Sequence, residues 1–478
     1  MPDALFAQLQ HWAQHQPNKP ALQDEQASLS WSELLPQVDA LAARLENEAG
    51  ERIALLADNS RHWVLADLAA LKLQRVLVPV PLFFSPAQRA HLFTRAGIDT
   101  LITQEQEQLN IQRLHTEPTT LHAGTAKITF TSGTTGSPKG VCLSATQQLS
   151  VAQSLADSLT ELDIQRHLCL LPLATLLENV AGVYAALLMG ASVQLPSLTS
   201  LGWQGSSGLD ITQLVRSLHR HQPDSLIVLP QILSGLTDAA EMGVTLPPLK
   251  FMAVGGARVG ATLLQRAQAQ GLPAYEGYGL SECASVVSLN TPQYNRLGSA
   301  GRPLPHNRLS LNADGELLIE GNLMLGYLGE AAHSGPYATG DIVKLDDQGF
   351  LQVAGRCRNV IINSYGRNLS PEWIESGLLA LRGVEEAVLF GDDRPYNCAL
   401  LHAPTLSDTQ LSQQIDSLNR SLPDYARVGR WARTRGALRG SETLYTLNGR
   451  PRREAIAHDY ADILDALYSP KHALTLEH

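Results

Sequence analysis

The sequence predicts an α/β protein: a large N-terminal domain of parallel-rich sheets with helices plus a small antiparallel β unit, and a smaller mobile C-terminal α+β domain. Three observations predict it. Short apolar runs alternate with segments of helical period as far as about residue 290. Strand–turn–strand pairs then replace that rhythm, and after Arg356 short strands mix with amphipathic helices. At 478 residues the chain exceeds one simple core, and the pattern places domains at 1–356 and 357–478.

Taken in order, "WSELLPQVDALAARLE" spaces its apolar residues as a helix does, "RIALLA" reads as a strand, "HWVLADLAALKLQ" as a helix and "RVLVPVP" as a buried strand. The polar stretch Glu105–Gly124 reads as a surface loop. "SLIVLP" and "FMAVGG" are further strands, each leading to a helical segment, and such alternation implies parallel strands covered by helices. In "RLSLNADGELLIEG" the Asp314-Gly315 pair marks a hairpin, and "DIVKLDDQGFLQVAGR" repeats the form with Gly349 at its turn. "LSPEWIESGLLAL" starts a helix with Ser370 as N-cap and Pro371 at its first position. "VEEAVLFG" and "NCALLHA" follow as strands, and "TLSDTQLSQQIDSLNRSL" as an amphipathic helix.

Composition excludes several classes. With 44% hydrophobic and 17% charged residues the chain is ordinary for a soluble protein. A net charge of −10, without basic residues clustered on a predicted face, argues against nucleic acid as a partner. Five cysteines without a CxxC pair make a disulfide framework or zinc knuckle a poor reading, and the chain reads as cytoplasmic. The N-terminal stretch has no basic region followed by an apolar run, so no secretory signal is expected there. The longest apolar stretch, Val180–Leu195, is short of a transmembrane span and reads as a buried helix running into a strand.

The chemistry centres on "TSGTTGSPKG", Thr131 to Gly140. Glycines allow a backbone to approach a ligand, exposed amides and hydroxyls donate to phosphate oxygens, and Lys139 adds a charge. It is not a Walker A loop, because Pro138 precedes the lysine and Gly140 follows it. No G-x-S-x-G elbow accompanies it, which counts against a serine hydrolase.

"TFTSGTTGSPKGV" resembles the signature loop of the adenylate-forming superfamily, which includes acyl-CoA synthetases, peptide-synthetase adenylation domains and beetle luciferase. Further motifs follow in the family's order over almost the whole chain. The resemblance implies a nucleotide site built by Thr131, Ser132, Gly133, Thr134, Thr135, Gly136 and Lys139. "MAVGGARV" is similar to the segment bordering the adenine pocket, with Gly256 and Ala257. In "EGYGLSE" the family's roles fall on Gly277, Tyr278 against adenine, Gly279, Ser281 at the α-phosphate and Glu282 at Mg²⁺, and a carboxylate suits that hard cation. In "YATGDIV" Asp341 takes the ribose hydroxyls, with Arg356 as a second ribose contact. Arg358 holds the family's hinge position, and Gly366 in "SYGRNLSPEWIE" lines the thiol channel once the C-terminal domain rotates.

Two departures qualify the resemblance. In "TLNGRPRRE", Arg450 stands where the family has the lysine that neutralises carboxylate and α-phosphate, and Arg453 matches the trailing arginine. Arginine keeps the charge but not the donor geometry. After Lys344 the next lysine is Lys471, so no neighbour substitutes. If arginine is a handicap, Arg450→Lys raises pyrophosphate exchange. In "LPLATLLENV", similar to long-chain acyl-CoA synthetases, Thr175 replaces a histidine or aromatic beside the carboxylate; its residue type also fits a helix N-cap.

The expected activity is ATP- and Mg²⁺-dependent conversion of a carboxylic acid, a fatty acid first, to acyl-AMP. Transfer to a thiol, coenzyme A first, would follow. Lys139, Thr175, Ser281, Glu282 and Arg450 are the expected catalytic set. The alternatives are a carrier-protein thiol, an amine or an alcohol as acceptor, and a nucleotide-binding relative impaired by Arg450. Chain length of the acid and oligomeric state stay open.

Overall fold

The computed structural model describes residues 2–131, 138–205, 208–257, 259, 261–356, 360–379, 381–438, 441, 443–445 and 451–469. Contacts divide the chain into two compact units, one running to the end of the strand Leu351–Arg356 and the other taking up the chain from Val360.

The first unit distributes its strand–helix rhythm over two sheets. One has seven strands in the order Gly326–Tyr327, Lys139–Leu143, Lys127–Thr131, Val76–Pro79, Arg52–Leu56, Thr100–Glu105, Gln108–Arg113. Its inner strands, Lys127–Thr131 through Thr100–Glu105, are parallel. The other has nine: Arg302–Pro303, Ser285–Leu289, Ala274–Leu280, Phe251–Val254, Ser225–Val228, Arg166–Leu168, Ser192–Gln194, Pro20–Gln23, Ser28–Ser30. It is parallel from Ala274–Leu280 to Pro20–Gln23. Runs such as Ile53-Ala54-Leu55 are buried throughout because parallel strands are covered on both faces.

Helix starts follow local chemistry. Ser60 Oγ accepts from Trp63 N ahead of Arg61–Lys72, and a Ser144/Gln147 capping box opens Ala145–Leu159. Trp31 and Trp63 are fully buried in a core that joins both sheets through Leu55, Leu77 and Val141 on one side and Leu22, Val193 and Phe251 on the other.

Two readings need correction here. The stretch Glu105–Gly124 is not all loop: Gln108–Arg113 pairs antiparallel with Thr100–Glu105. Leu109 and Ile111 turn one face of that polar strand inward, an alternation that its glutamines mask. The apolar stretch from Val180 does form helix followed by strand, but residues Leu177–Tyr184 take a wider turn than α. Its signature is the amide of Ala185 reaching the carbonyl of Val180, five residues back.

The antiparallel unit orders Asn307–Leu311, Glu316–Gly321, Tyr337–Leu345 and Leu351–Arg356, with Gly315 and Gly349 at positive φ in its turns. In the second unit Glu386–Phe390, Asn397–His402 and Val428–Arg433 form a three-stranded sheet, flanked by the helices Pro371–Leu379 and Asp408–Ser421. Among the described residues no helix is long and apolar enough to cross a membrane.

Candidate active site

Lys127–Thr131 and Lys139–Leu143 are neighbouring antiparallel strands, with Thr131 opposite Lys139. The glycine-rich segment therefore connects two hydrogen-bonded strand ends. Ser132, Gly133, Thr134, Thr135 and Gly136 lie outside the described residues, as do Arg358 and Arg450.

Lys139 is half exposed. Its Nζ is 3.0 Å from Glu330 Oε1 and 4.9 Å from the centroid of the Tyr327 ring. Tyr327 sits on the short strand Gly326–Tyr327, which adds to the sheet beside Val141 and Cys142. Its hydroxyl donates to Glu282 Oε1 at 2.7 Å and lies 3.1 Å from the Tyr337 hydroxyl. Glu282 belongs to the tight turn Ser281–Cys283, held from behind by the Met324 amide on its carbonyl at 2.7 Å. Lys139, Tyr327 and Glu282 thus form one connected chain of side chains.

Four positions before Glu282, Tyr278 donates to Asp341 Oδ2 at 2.7 Å. Asp341 is buried and lies opposite Arg356 in the antiparallel unit, so the two residues read as ribose contacts are cross-strand neighbours. Burial pushes both phenols, Tyr278 and Tyr327, well above their usual range, and the carboxylates beside them add to the shift. Each stays a donor to its carboxylate at neutral pH.

The glycines of "EGYGLSE" have a packing reason. A Cβ on Gly279 would stand 2.0 Å from the Ser285 carbonyl oxygen, because Ser285–Leu289 folds back against this strand. Gly277 is held close to Ser288 and Leu289 in the same way. Gly256 and Ala257 follow the end of Phe251–Val254, next to the strand of Tyr278, with Gly256 at φ 82°.

The remaining expected residues belong to other elements of the chain. Thr175 lies just before the helix, yet its hydroxyl turns back to the Pro172 carbonyl at 2.7 Å rather than capping it. No side-chain cap bond opens the helix, so the N-cap reading is not realised by this hydroxyl. Gly366, in the second unit, is at φ 70° in a tight turn where its amide donates to the Asn363 carbonyl. Arg453 forms a buried ion pair with Glu375 in that unit.

Sequence reasoning did not single out Tyr327, Tyr337 or Glu330. Tyr337 opens "YATGDIV" and was within reach; "LGYLGE" around Tyr327 and Glu330 carries no periodic signal. A buried trio, His167, Cys169 and Glu178, has donor atoms within 4.8 Å of one another. Its groups satisfy one another: His167 bonds Ser225 and Glu178, Glu178 also accepts the Leu171 amide, and the Cys169 thiol, pushed up by burial, bonds Glu178. That is a closed polar network.

Residues 9–328 match the family described as AMP-binding enzyme, and residues 358–472 match the AMP-binding enzyme C-terminal domain. The chain belongs to the AMP-binding enzyme family. Its fold is that of the adenylate-forming superfamily. A 2-succinylbenzoate–CoA ligase of Bacillus velezensis is 29% identical over 443 residues, 84% of this chain and 88% of that one. A long-chain-fatty-acid–CoA ligase of Mycobacterium bovis is 37% identical over 154 residues, 31% of this chain and 26% of that one. Among solved structures, a double mutant of o-succinylbenzoate CoA synthetase from Bacillus subtilis bound with a product analogue is similar in fold. It has a TM-score of 0.73 and 23% identity, covering 94% of this chain and 97% of the other.

Proposed function

We propose that this enzyme is an AMP-forming acid–CoA ligase. The observation that carries the reading is the continuous link Lys139–Tyr327–Glu282 beside the glycine-rich segment, with Tyr278, four residues before Glu282, paired to Asp341. Its relatives' names, CoA ligases throughout the set above, support the acceptor.

The chemistry needs little from side chains beyond charge and position. A carboxylate with a pKa near 4 is already ionised and attacks the α-phosphorus of ATP without a general base. The C–O–P bond forms, pyrophosphate leaves with its electron pair, and acyl-AMP remains. Lys139 would offset charge on the departing phosphates, as is general for phosphoryl transfer. Glu282 fits Mg²⁺: it offers hard carboxylate oxygen, half-buried, with one oxygen oriented by Tyr327. Bound there, the ion would neutralise phosphate charge. Asp341, already accepting from a phenol, is suited to accept further donors such as ribose hydroxyls. Coenzyme A thiolate then displaces AMP from the acyl carbon. Ser281, Arg450 and Gly366 keep the roles the family resemblance gives them.

For the acid we take a fatty acid first. An apolar cavity of about 40 Å³, lined by Leu155, Leu159, Leu177, Ala181, Phe251 and Ala253, lies behind the segment that begins just after Thr175. No cation among its lining residues would meet a second carboxylate; His167, which also lines it, is engaged by Glu178 and Ser225. A cavity measured this way needs about 10–15 Å³ to hold one water, so this one has room for only a few, and a long chain enters only if a helix on this wall shifts. The second reading, 2-succinylbenzoate, is favoured by the relative that matches 84% of the chain. Pyrophosphate release across fatty acids of increasing length and 2-succinylbenzoate, with and without coenzyme A, separates the two. Mass spectrometry of the product names the acceptor. Failure of every acid in the panel to release pyrophosphate would overturn the function.

A further inference from the structure

The segment Leu177–Tyr184 lies between the two sheets and is tied to each by a separate buried polar network. Towards the nine-stranded sheet, Glu178 meets His167 at 3.0 Å and the Leu171 amide at 2.8 Å. Gly182 makes room for this, since a Cβ there would stand 2.2 Å from Glu178 Oε1. Towards the seven-stranded sheet, the next residue, Asn179, joins Lys127 and Asp67.

That second network is closed. Lys127, on the strand that leads into the glycine-rich segment, has three ammonium donors and three partners: Asp67 Oδ1 at 2.9 Å, the Tyr184 hydroxyl at 3.2 Å and Asn179 Oδ1. Asp67 Oδ2 takes Asn179 Nδ2 and the Tyr184 hydroxyl, both at 2.8 Å. The Lys127 and Asp67 side chains are 3% and 2% exposed, so all of this is removed from water.

Stability alone is a weak reason to bury such a pair, because a well-packed apolar replacement often folds as well or better, whereas fixing a register is the best-attested use. The spacing here carries a register. Asn179 and Tyr184 are five apart; at 3.6 residues per turn they would point about 140° apart. In the wider turn they return towards one face, and both reach the same Asp67 oxygen. The Asn179 amide in turn donates to the Thr175 carbonyl at 3.1 Å, so the turn carrying Thr175 hangs on the register that Asp67 selects.

We propose that Asp67, Lys127, Asn179 and Tyr184 are positioning residues. They hold Leu177–Tyr184 in its wide turn and thereby fix Thr175 and the acid-binding wall against the strand that enters the phosphate loop. The proposal rests on the acid–CoA ligase reading for its kinetic consequence, while the register itself is testable without turnover.

The test is the double variant Asp67→Leu/Lys127→Met, which replaces the pair with apolar side chains, beside Tyr184→Phe. MgATP binding is read by calorimetry, and pyrophosphate release with dodecanoate or 2-succinylbenzoate, whichever the parent uses. The expected result is unchanged MgATP affinity, with kcat/KM for the acid lower by about 10- to 100-fold, the scale of a small misplacement at a reacting centre. Amides of residues 181–185 should exchange faster than in the parent. A folded double variant with parental acid kinetics and parental exchange overturns the proposal. If the double variant does not fold, Tyr184→Phe decides on the same readings, with a smaller loss confined to the acid. If the parent releases no pyrophosphate with any acid, the functional reading falls, and the exchange comparison still decides whether the network sets the register.

Discussion

Lys139→Met should separate folding from catalysis. The Lys139 and Glu330 side chains are 44% and 52% exposed. An ion pair of that kind contributes about 0–1 kcal/mol. The contact with the Tyr327 ring, at 4.9 Å, adds about 0.5–1 kcal/mol. Loss of both costs at most about 2 kcal/mol, and methionine retains part of the packing. The melting temperature should therefore fall by a few degrees or less. A charge placed against departing phosphates is a different matter, since removing one well-placed transition-state donor costs about 10²–10³ in rate.

The assay is pyrophosphate release at saturating MgATP and acid, beside thermal unfolding of the same preparations. Lys139→Arg, which keeps the charge on a bulkier fork, should recover only part of the rate. Glu330→Gln frees Lys139 from its carboxylate partner and should leave the rate intact while holding or lowering KM for MgATP. A Lys139→Met enzyme that turns over like the parent, or that unfolds far more readily than an exposed pair allows, would refute the reasoning.

Three further outcomes are expected. Tyr327→Phe deprives the Glu282 carboxylate of its donor, a hydrogen bond to a charged group worth about 1.5–3 kcal/mol; the activity should then need more Mg²⁺, read from the Mg²⁺ dependence of pyrophosphate release. Arg453→Met leaves Glu375 buried without its cation and should cost the second unit about 3–5 kcal/mol by thermal unfolding, with much of the loss recovered in Glu375→Leu/Arg453→Met. His306 bonds Ser154 at 2.9 Å and the Val286 carbonyl at 3.0 Å, and burial holds its pKa below the usual 6.5, partly opposed by the Val286 bond. Between that lowered value and 6.5 the unfolded chain binds the extra proton, so stability should fall as pH drops below 6.5, and His306→Gln should flatten that slope in pH-dependent unfolding.

What the sequence made legible and what it hid divide along a physical line. Periods carried by single residues were readable. Ile53 to Leu55 and Leu77-Val78 announce buried strands because an apolar run has few other places to go. The Asp314-Gly315 turn announces its hairpin because few residues accept positive φ. Features set by a distant partner were not. Leu109 and Ile111 alternate among glutamines, and only the neighbouring strand makes Gln108–Arg113 a strand. The wide turn at Leu177–Tyr184 has the same apolar content as an α-helix, and its register is matched to Asp67, more than a hundred residues earlier in the chain. The site divides in the same way. Glu282 and Asp341 stand in local motifs, but the phenol that orients Glu282 arrives on the strand Gly326–Tyr327, which no local pattern marks. Even the glycines of "EGYGLSE" are explained by a neighbour: Gly279 is required by the Ser285 carbonyl that folds against it. A motif can therefore hold the right residues for the wrong local reason. A substitution at Gly279 should first be read as a packing lesion in the strand that carries Tyr278, and only through that strand as damage to the site.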